Sequence, residues 1–108
     1  MHRVSYADES FLMADEATIA LFDFAALVAD KGQAEPLAIP VIEVDGRPGQ
    51  RRAIIGPASQ IIAEPIDSDL PEPDVSEFLA ELRTRSAKYG PARGLPDDEP
   101  LPDLAPEL

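Results

Sequence analysis

The sequence VIEVDGRPGQRRAII occupies residues 41–55 and places two β-branched runs on either side of a polar loop. The loop opens with Asp45-Gly46, a residue pair that favours the positive φ angles of a tight chain reversal. Because β-branched side chains fit a pleated, half-buried surface, these runs and a third one after Gly56-Pro57 predict a three-stranded antiparallel meander. The predicted strands span residues 37–44, 51–56 and 60–64.

Two prolines leave details of this sheet open. Pro40 cannot donate a hydrogen bond to a ladder, so the first predicted strand lies at an edge of the sheet or is bulged there. Gly56-Pro57 is compatible with a turn or with a kink, and in either case Ser59 and Gln60 would satisfy neighbouring backbone groups.

Residues 11–31 predict a helix, because six alanines fall in this range and alanine is the best helix former. Three acids seven residues apart, Glu16, Asp23 and Asp30, form one polar stripe, and the rest of the helix surface is apolar nearly all round. Gly32 suits a left-handed C-cap. Such a helix needs cover from the sheet and also from a second helix or a second copy of the chain. Residues 1–10 show no periodic pattern.

A second helix is predicted after residue 74. Asp74 with Glu77 three residues later has the form of a capping box, and apolar residues follow at helical spacing. The helix is expected to end at Gly90-Pro91. Cations near its C-terminal end suit the helix dipole, and they are Arg83, Arg85 and Lys88.

The predicted fold is therefore α+β, with an N-terminal helix packed on the three-stranded meander and a second amphipathic helix, all in one domain of residues 1–89. A chain of 108 residues is too short for a second core. Residues 90–108 hold five prolines, and the last twelve residues hold five acids and no base. We expect this tail to be flexible and disordered when alone, because it has little apolar surface to bury.

Composition excludes several classes of function. The formal net charge of −12 argues against direct binding of nucleic acid and against binding to anionic membranes. The absence of cysteine excludes disulfides, thiol catalysis and cysteine metal sites. The most apolar stretch, residues 17–29, is too short to span a bilayer, and the N-terminal residues lack the apolar region of a signal peptide. A cytoplasmic location is expected.

No pattern in the sequence indicates catalysis, a metal or a cofactor. Residues 67–74 are rich in carboxylates, yet they lack the central glycine of a calcium loop. Ser59 has no surrounding Gly-x-Ser-x-Gly motif, and His2, the one histidine, lies near the N-terminus. We therefore expect a protein that is not an enzyme.

Two groups of residues are candidates for binding. Phe22 on the apolar first helix, with Leu101 and Leu104 in the Pro- and acid-rich tail, is a candidate contact for a protein partner. Arg47, Arg51 and Arg52 form a candidate anion patch, because arginine binds phosphate and carboxylate through paired hydrogen bonds. The competing interpretation is that these arginines pair with the acids of the chain itself.

The leading hypothesis is a non-catalytic protein-interaction module, either homodimeric or a small subunit of a larger assembly. One alternative is an acidic decoy whose carboxylates imitate nucleic-acid phosphates and occupy a basic DNA-binding protein. A third hypothesis is a small enzyme with an unrecognised site, which would require a convergent polar pocket.

Overall fold

The computed structural model describes residues 1–90, which form an antiparallel sheet with two helices. In chain order the elements are β1 (His2–Tyr6), β2 (Glu9–Met13), α1 (Asp15–Asp30), β3 (Glu35–Ile42), β4 (Pro48–Ile55), β5 (Ile61–Pro65) and α2 (Ser76–Ser86), followed by a 3₁₀ turn at Ala87–Tyr89. All neighbouring strands are antiparallel, and their order in the sheet is β4-β3-β2-β1-β5. The predicted α+β class is confirmed.

The prediction of a three-stranded meander preceded by a helix is wrong in its details. The sheet of the described residues has five strands, and two of them, β1 and β2, precede the helix. In β1 and β2, core-facing residues alternate with outward-facing residues, and Val4, Phe11 and Met13 are buried. Burial of these side chains in a hairpin stabilises strands here, although the sequence pattern had predicted that the helix begins at residue 11. Consequently α1 begins only at Asp15.

The third predicted strand, β5, also has a different neighbour. It pairs with β1, from His2 opposite Pro65 to Tyr6 opposite Ile61, and lies at the edge of the sheet opposite to β4. Only residues 56–60 connect β4 to β5. Five residues that include a turn cannot cross a flat five-stranded sheet, in which the outer strands stand about 19 Å apart, so the sheet must curl.

A single bridge between the two halves of the sheet permits this curl. β2 contacts β3 only at the pair Leu12–Ile42, so the β3–β4 hairpin can turn away from the other three strands. The hydroxyl of Tyr6 in β1 donates a hydrogen bond to the backbone oxygen of Ile54 in β4, at 2.5 Å. This bond joins the two halves at the end where the chain passes from β4 to β5.

Both helices cover the same face of the sheet. The strands contribute alternate residues to one apolar cluster, and α1 and α2 supply the rest. The largest fully buried side chains are Phe24, Met13, Leu21, Ile39, Ile55, Val4, Val28 and Val41. Burial of each such side chain is worth about 1.5–3 kcal/mol. α2 therefore supplies part of the cover predicted for α1.

Local hydrogen bonds mark the C-terminal end of α1 and the approach to α2. Gly32 has φ of 67°, its N–H donates to the oxygen of Ala29 at 3.0 Å, and the next N–H donates to Val28 at 3.1 Å, as in a Schellman C-cap. At the start of α2, the Asp74 carboxylate accepts the N–H of Ser76 at 2.9 Å. That bond lowers the pKa of Asp74. The predicted capping box is nevertheless wrong, because Val75 and not Asp74 holds the N-cap position: the Val75 oxygen accepts the first helical bond, from the Leu79 N–H at 3.0 Å.

The hairpin of β3 and β4 reverses where Asp45-Gly46 predicts it. Gly46 has φ of 89°, and the Glu43 N–H donates to the Arg47 oxygen at 2.8 Å. The predicted first strand reached residue 44, but Val44 lies in the loop and is fully exposed.

Pro40 lies in an interior strand, yet it removes no ladder bond. Antiparallel strands alternate between residues that bond to a given neighbour and residues that face away from it. Because the Glu43 N–H points to β4, this alternation turns Pro40 and Pro36 away from β4, and the Pro36 oxygen accepts a bond from Arg85 at 2.7 Å. β2 reaches β3 only at Ile42, so the missing N–H of Pro40 faces no strand. The edge interpretation is therefore right for this position but not for the whole strand.

The turn between β1 and β2 holds strained backbone. Its two residues, Ala7 and Asp8, have φ of 53° and 69°, which is the geometry of a type I′ turn. L-residues other than Asn, Asp and Gly rarely adopt this region, because Cβ crowds the following carbonyl oxygen.

Ala7→Gly is expected to raise the free energy of unfolding by about 0.5–1 kcal/mol, since glycine removes the crowding at positive φ. Thermal unfolding followed by circular dichroism measures the shift. Ala58→Gly, at an alanine outside the positive-φ region, is the matched control and should be neutral or destabilising. A lower melting temperature for Ala7→Gly would contradict the turn geometry.

A buried carboxylate joins the end of α2 to the start of β3. Glu35 is 7% exposed, and it accepts hydrogen bonds from Arg85 at 2.6 Å and from the Tyr89 hydroxyl, while Lys88 Nζ lies 2.7 Å away. Hydrogen bonds from Lys88, Tyr89 and Arg85 lower the pKa of Glu35 to about 2. The Arg85 guanidinium also lies 5.6 Å from the centre of the Phe24 ring. These cations of the second helix therefore pair with an acid of the same chain.

We expect Glu35→Gln to lower the free energy of unfolding at neutral pH by about 1–3 kcal/mol, because Arg85 and Lys88 lose their buried partner. The folded-state pKa of Glu35 is lowered, so its stabilisation is complete above its ordinary pKa of 4.5 and is lost as the pH falls toward 2. Urea unfolding at a series of pH values should therefore show the difference from the parent shrinking across this window.

The matched control is Glu81→Gln, because Glu81 is an exposed carboxylate 3.4 Å from the same arginine. Its loss should cost less than about 0.5 kcal/mol. Equal losses for the two variants, or a Glu35→Gln difference that does not change with pH, would contradict the assigned role of Glu35.

Candidate binding groove

A groove of about 890 Å³ lies where the β1–β2 turn meets the connector from β4 to β5. We call it the turn groove. Its lining consists of residues 5–10, Ile54, residues 56–60 and Ile62. The curl of the sheet creates it, because the curl brings the end of β4 next to the tip of the β1–β2 hairpin.

Hydrogen bonds between the two turns fix the shape of the groove. Tyr6 Oη donates to the Ile54 oxygen and lies 3.1 Å from Ser59 Oγ. The Gly56 N–H donates to Ser59 Oγ at 2.9 Å, and the Ser59 N–H donates to the Gly56 oxygen at 3.0 Å. Residues 56–59 therefore form a turn, which settles the alternative between turn and kink. Ser59 satisfies the backbone of this turn, as predicted.

The hydroxyls of the groove take part in structural hydrogen bonds. Four hydroxyls line the groove: those of Tyr6 and Ser59 take part in the bonds described above, and those of Ser5 and Ser10 lie 3.1 Å from each other. His2 lies at the opposite end of β1, and its Nδ1 is 2.7 Å from Asp15. A serine needs an adjacent base to become a useful nucleophile, and the Ser59 hydroxyl contacts Tyr6 and the Gly56 N–H instead of a base.

Two isoleucines at the groove are unusually exposed. Ile54 is 66% exposed and Ile62 is 69% exposed, and both point to the face of the sheet opposite the helices. Their sequence neighbours, Ile55 and Ile61, point to the core face and are buried and half-buried. Adjacent residues of a strand face opposite sides. Because both helices cover one face, one isoleucine of each pair is left in contact with solvent.

The charge of the turn groove is acidic. Asp8 and Glu9 are the two ionisable carboxylates in its lining, which contains no Lys, Arg or His. Glu9 Oε1 lies 3.5 Å from Nε of Arg51, an arginine outside the groove. An apolar surface beside an acidic rim favours a ligand that carries apolar and cationic groups.

The three residues of the predicted anion patch do not converge on one surface. Arg47 pairs with Asp45 at 2.7 Å, and Arg51 donates to both oxygens of Glu43 at 3.0 and 3.2 Å. The pair raises the pKa of Arg51 and lowers that of Glu43. Arg52 is exposed and, as the neighbour of Arg51 in β4, points to the other face of the sheet. Anion binding by these arginines stays a prediction.

Phe22, the predicted partner contact within the described residues, lies elsewhere. Phe22 is 37% exposed on the outer side of α1, near the exposed Ile19, and does not line the turn groove. Leu101 and Leu104 lie outside the described residues. The three residues therefore remain predicted contacts, and the exposed isoleucines of the groove were missed by the sequence analysis, which assigned them to strands without assigning their faces.

Within residues 1–90, no group of three or more Asp, Glu or His side chains is arranged to hold a metal ion. Over the same residues, neither helix has the length and apolarity required to cross a bilayer.

Comparisons of the chain with protein-family models, with curated proteins and with solved structures found no match. The turn groove is therefore interpreted from its own geometry and chemistry.

Proposed function

We propose that this protein is a non-catalytic interaction module that binds a partner protein at the turn groove. The observation that carries the proposal is the exposure of Ile54 and Ile62 beside a groove of about 890 Å³, on a sheet face that neither α1 nor α2 covers. Exposed apolar surface with a polar rim is typical of protein-binding sites.

The energetics support a docking site. Complete burial of an isoleucine side chain is worth about 1.5–3 kcal/mol, so the two side chains would make a sizeable contribution to an interface. The groove walls are strand ends and tight turns held by the Tyr6 and Ser59 hydrogen bonds. A wall that is already ordered loses little conformational entropy when a partner binds.

The acidic decoy stays an alternative prediction with less support. A decoy needs ordered carboxylates that are free to replace phosphates. Glu35 and Glu43 instead pair with Arg85 and Arg51 of the same chain. A decoy would also show binding that weakens steeply with salt, whereas a groove dominated by apolar contact would show a weaker salt dependence.

Photo-crosslinking tests the proposal without altering the two isoleucines. A benzophenone amino acid at Ala58, an exposed residue of the groove, is expected to form an adduct with one discrete protein in native lysate, because the partner covers this position. Ile62→Asp in the same chain should abolish the adduct while leaving the melting temperature nearly unchanged, since Ile62 is mostly exposed.

Val44 supplies the matched control, because it is a fully exposed apolar residue in the hairpin loop. A benzophenone at position 44 should give no such adduct, and Val44→Asp should leave the adduct from position 58 intact. The same adduct from both positions, or one that survives Ile62→Asp, would show that the groove is not the contact.

A further inference from the structure

We infer that β5 binds an extended segment of the partner by strand addition, and that this segment carries β-branched residues flanked by lysine or arginine. The inference rests on the proposed function and names the class of ligand that the turn groove and its neighbouring edge take. In strand addition, backbone hydrogen bonds to a free sheet edge supply affinity, and side chains on either face supply specificity.

The backbone N–H and C=O groups of β5 point alternately toward β1 and toward the open edge of the sheet. The Ile66 N–H donates to the Met1 oxygen at 3.0 Å, so Ile66 faces β1. The alternation of an antiparallel ladder then turns Glu64 and Ile62 toward β1. Pro65, Ala63 and Ile61 face the other way. Pro65 has no N–H to donate, which agrees with its position facing away from β1.

β5 is the more open of the two sheet edges. Its outward-facing N–H and C=O groups at Ile61 and Ala63 have no strand beside them within residues 1–90. At the β4 edge, side chains of the protein already occupy two outward oxygens, because Arg51 donates to Gln50 at 3.0 Å and Tyr6 donates to Ile54. Of these two edges, β5 therefore offers an incoming strand outward N–H and C=O groups at Ile61 and Ala63 that no side chain of the described residues occupies.

Strand addition at β5 places a side chain of the ligand beside the exposed isoleucine. Ile62 bonds to β1, so relative to an added strand it occupies a position without backbone bonds, where side chains approach most closely. The ligand residue opposite Ile62 would lie on the helix-free face next to the turn groove. A β-branched residue fits this position, because it packs on Ile62 and favours the extended conformation.

Carboxylates at both ends of β5 select cationic flanks. Asp8 lies in the turn that follows Tyr6, the residue opposite Ile61, and Asp67 follows two residues after Pro65. The distance from Ile61 to Asp67 along an extended chain is roughly 20 Å, which corresponds to a segment of about six or seven residues. A second copy of this chain would bring the same carboxylates together, and its net charge of −12 opposes that pairing.

The probe is an acetylated and amidated peptide, Lys-Thr-Val-Thr-Val-Thr-Lys, titrated into the full chain. Without peptide, the amide protons of Ile61 and Ala63 should exchange with solvent rapidly, while those of Ile62 and Glu64 are protected by β1. Peptide binding should protect Ile61 and Ala63 in nuclear magnetic resonance hydrogen-exchange measurements. A peptide with glutamate in place of both lysines should bind at least about tenfold more weakly.

Ala63→Pro tests the edge directly. The substitution removes one outward N–H but no bond to β1, because residue 63 faces away from β1 as Pro65 does. The fold should therefore be unchanged, as measured by circular dichroism. Peptide affinity should fall at least about tenfold, since a donor is lost and the ring obstructs the edge. Gln50→Pro is the matched control, because it removes an outward N–H at the β4 edge and should leave affinity unchanged.

Three outcomes would overturn strand addition at β5. These are unchanged affinity in Ala63→Pro, peptide binding that leaves Ile61 and Ala63 exchanging freely, and protection of these amides by self-association of the peptide-free chain at high concentration. If the crosslink from position 58 still depends on Ile62 in the first two cases, the interaction module stands and only the mode of binding is wrong. If the crosslink from position 58 does not depend on Ile62, the proposed function itself is wrong.

Discussion

The structure depends on the short return of the chain from one edge of the sheet to the other. β4 and β5 are the outermost strands, and only residues 56–60 connect them. The sheet satisfies this constraint by curling at the single Leu12–Ile42 bridge, and the Tyr6 hydroxyl fixes the closed end by bonding to β4. The turn groove and the exposure of its two isoleucines both result from this closure.

The location of charge follows from the same architecture. The deeper carboxylates pair with arginines near where the elements join, as Glu35 does with Arg85 between α2 and β3. The turn groove keeps its acids at the rim and its apolar side chains at the wall. Within residues 1–90, the turn groove therefore combines exposed isoleucines with an acidic rim.

Local signals in the sequence predicted local structure well. Asp45-Gly46 located the hairpin, Gly32 located the end of α1, and Asp74 located the start of α2, because each acts through hydrogen bonds within a few residues. The β1–β2 hairpin was missed because its strands are five residues long and its turn contains Ala7-Asp8 rather than a typical turn pair. The pairing of β1 with β5 has no local signal, since it joins residues about sixty positions apart.

The candidate site was less predictable than the fold, but one signal was available. Two adjacent isoleucines in a strand must point to opposite faces, so Ile54-Ile55 and Ile61-Ile62 require either a buried sheet or exposed apolar side chains. Because α1 and α2 both cover one face, the second face has no cover within residues 1–90. The curl of the sheet that brings these isoleucines to one groove depends on contacts between distant segments. The sequence pattern alone therefore could not predict that they lie together.

The pairing of β1 with β5 also affects the order in which the strands can pair during synthesis on the ribosome. The β1–β2 hairpin, α1 and the β3–β4 hairpin each involve neighbouring segments and can form soon after synthesis, whereas His2 meets Pro65 only after the intervening chain has emerged. Until then the β5-facing side of β1 is an open edge on a nascent chain. An unpaired strand edge is prone to misassembly, so the arrival of β5 both completes the described sheet and removes this hazard.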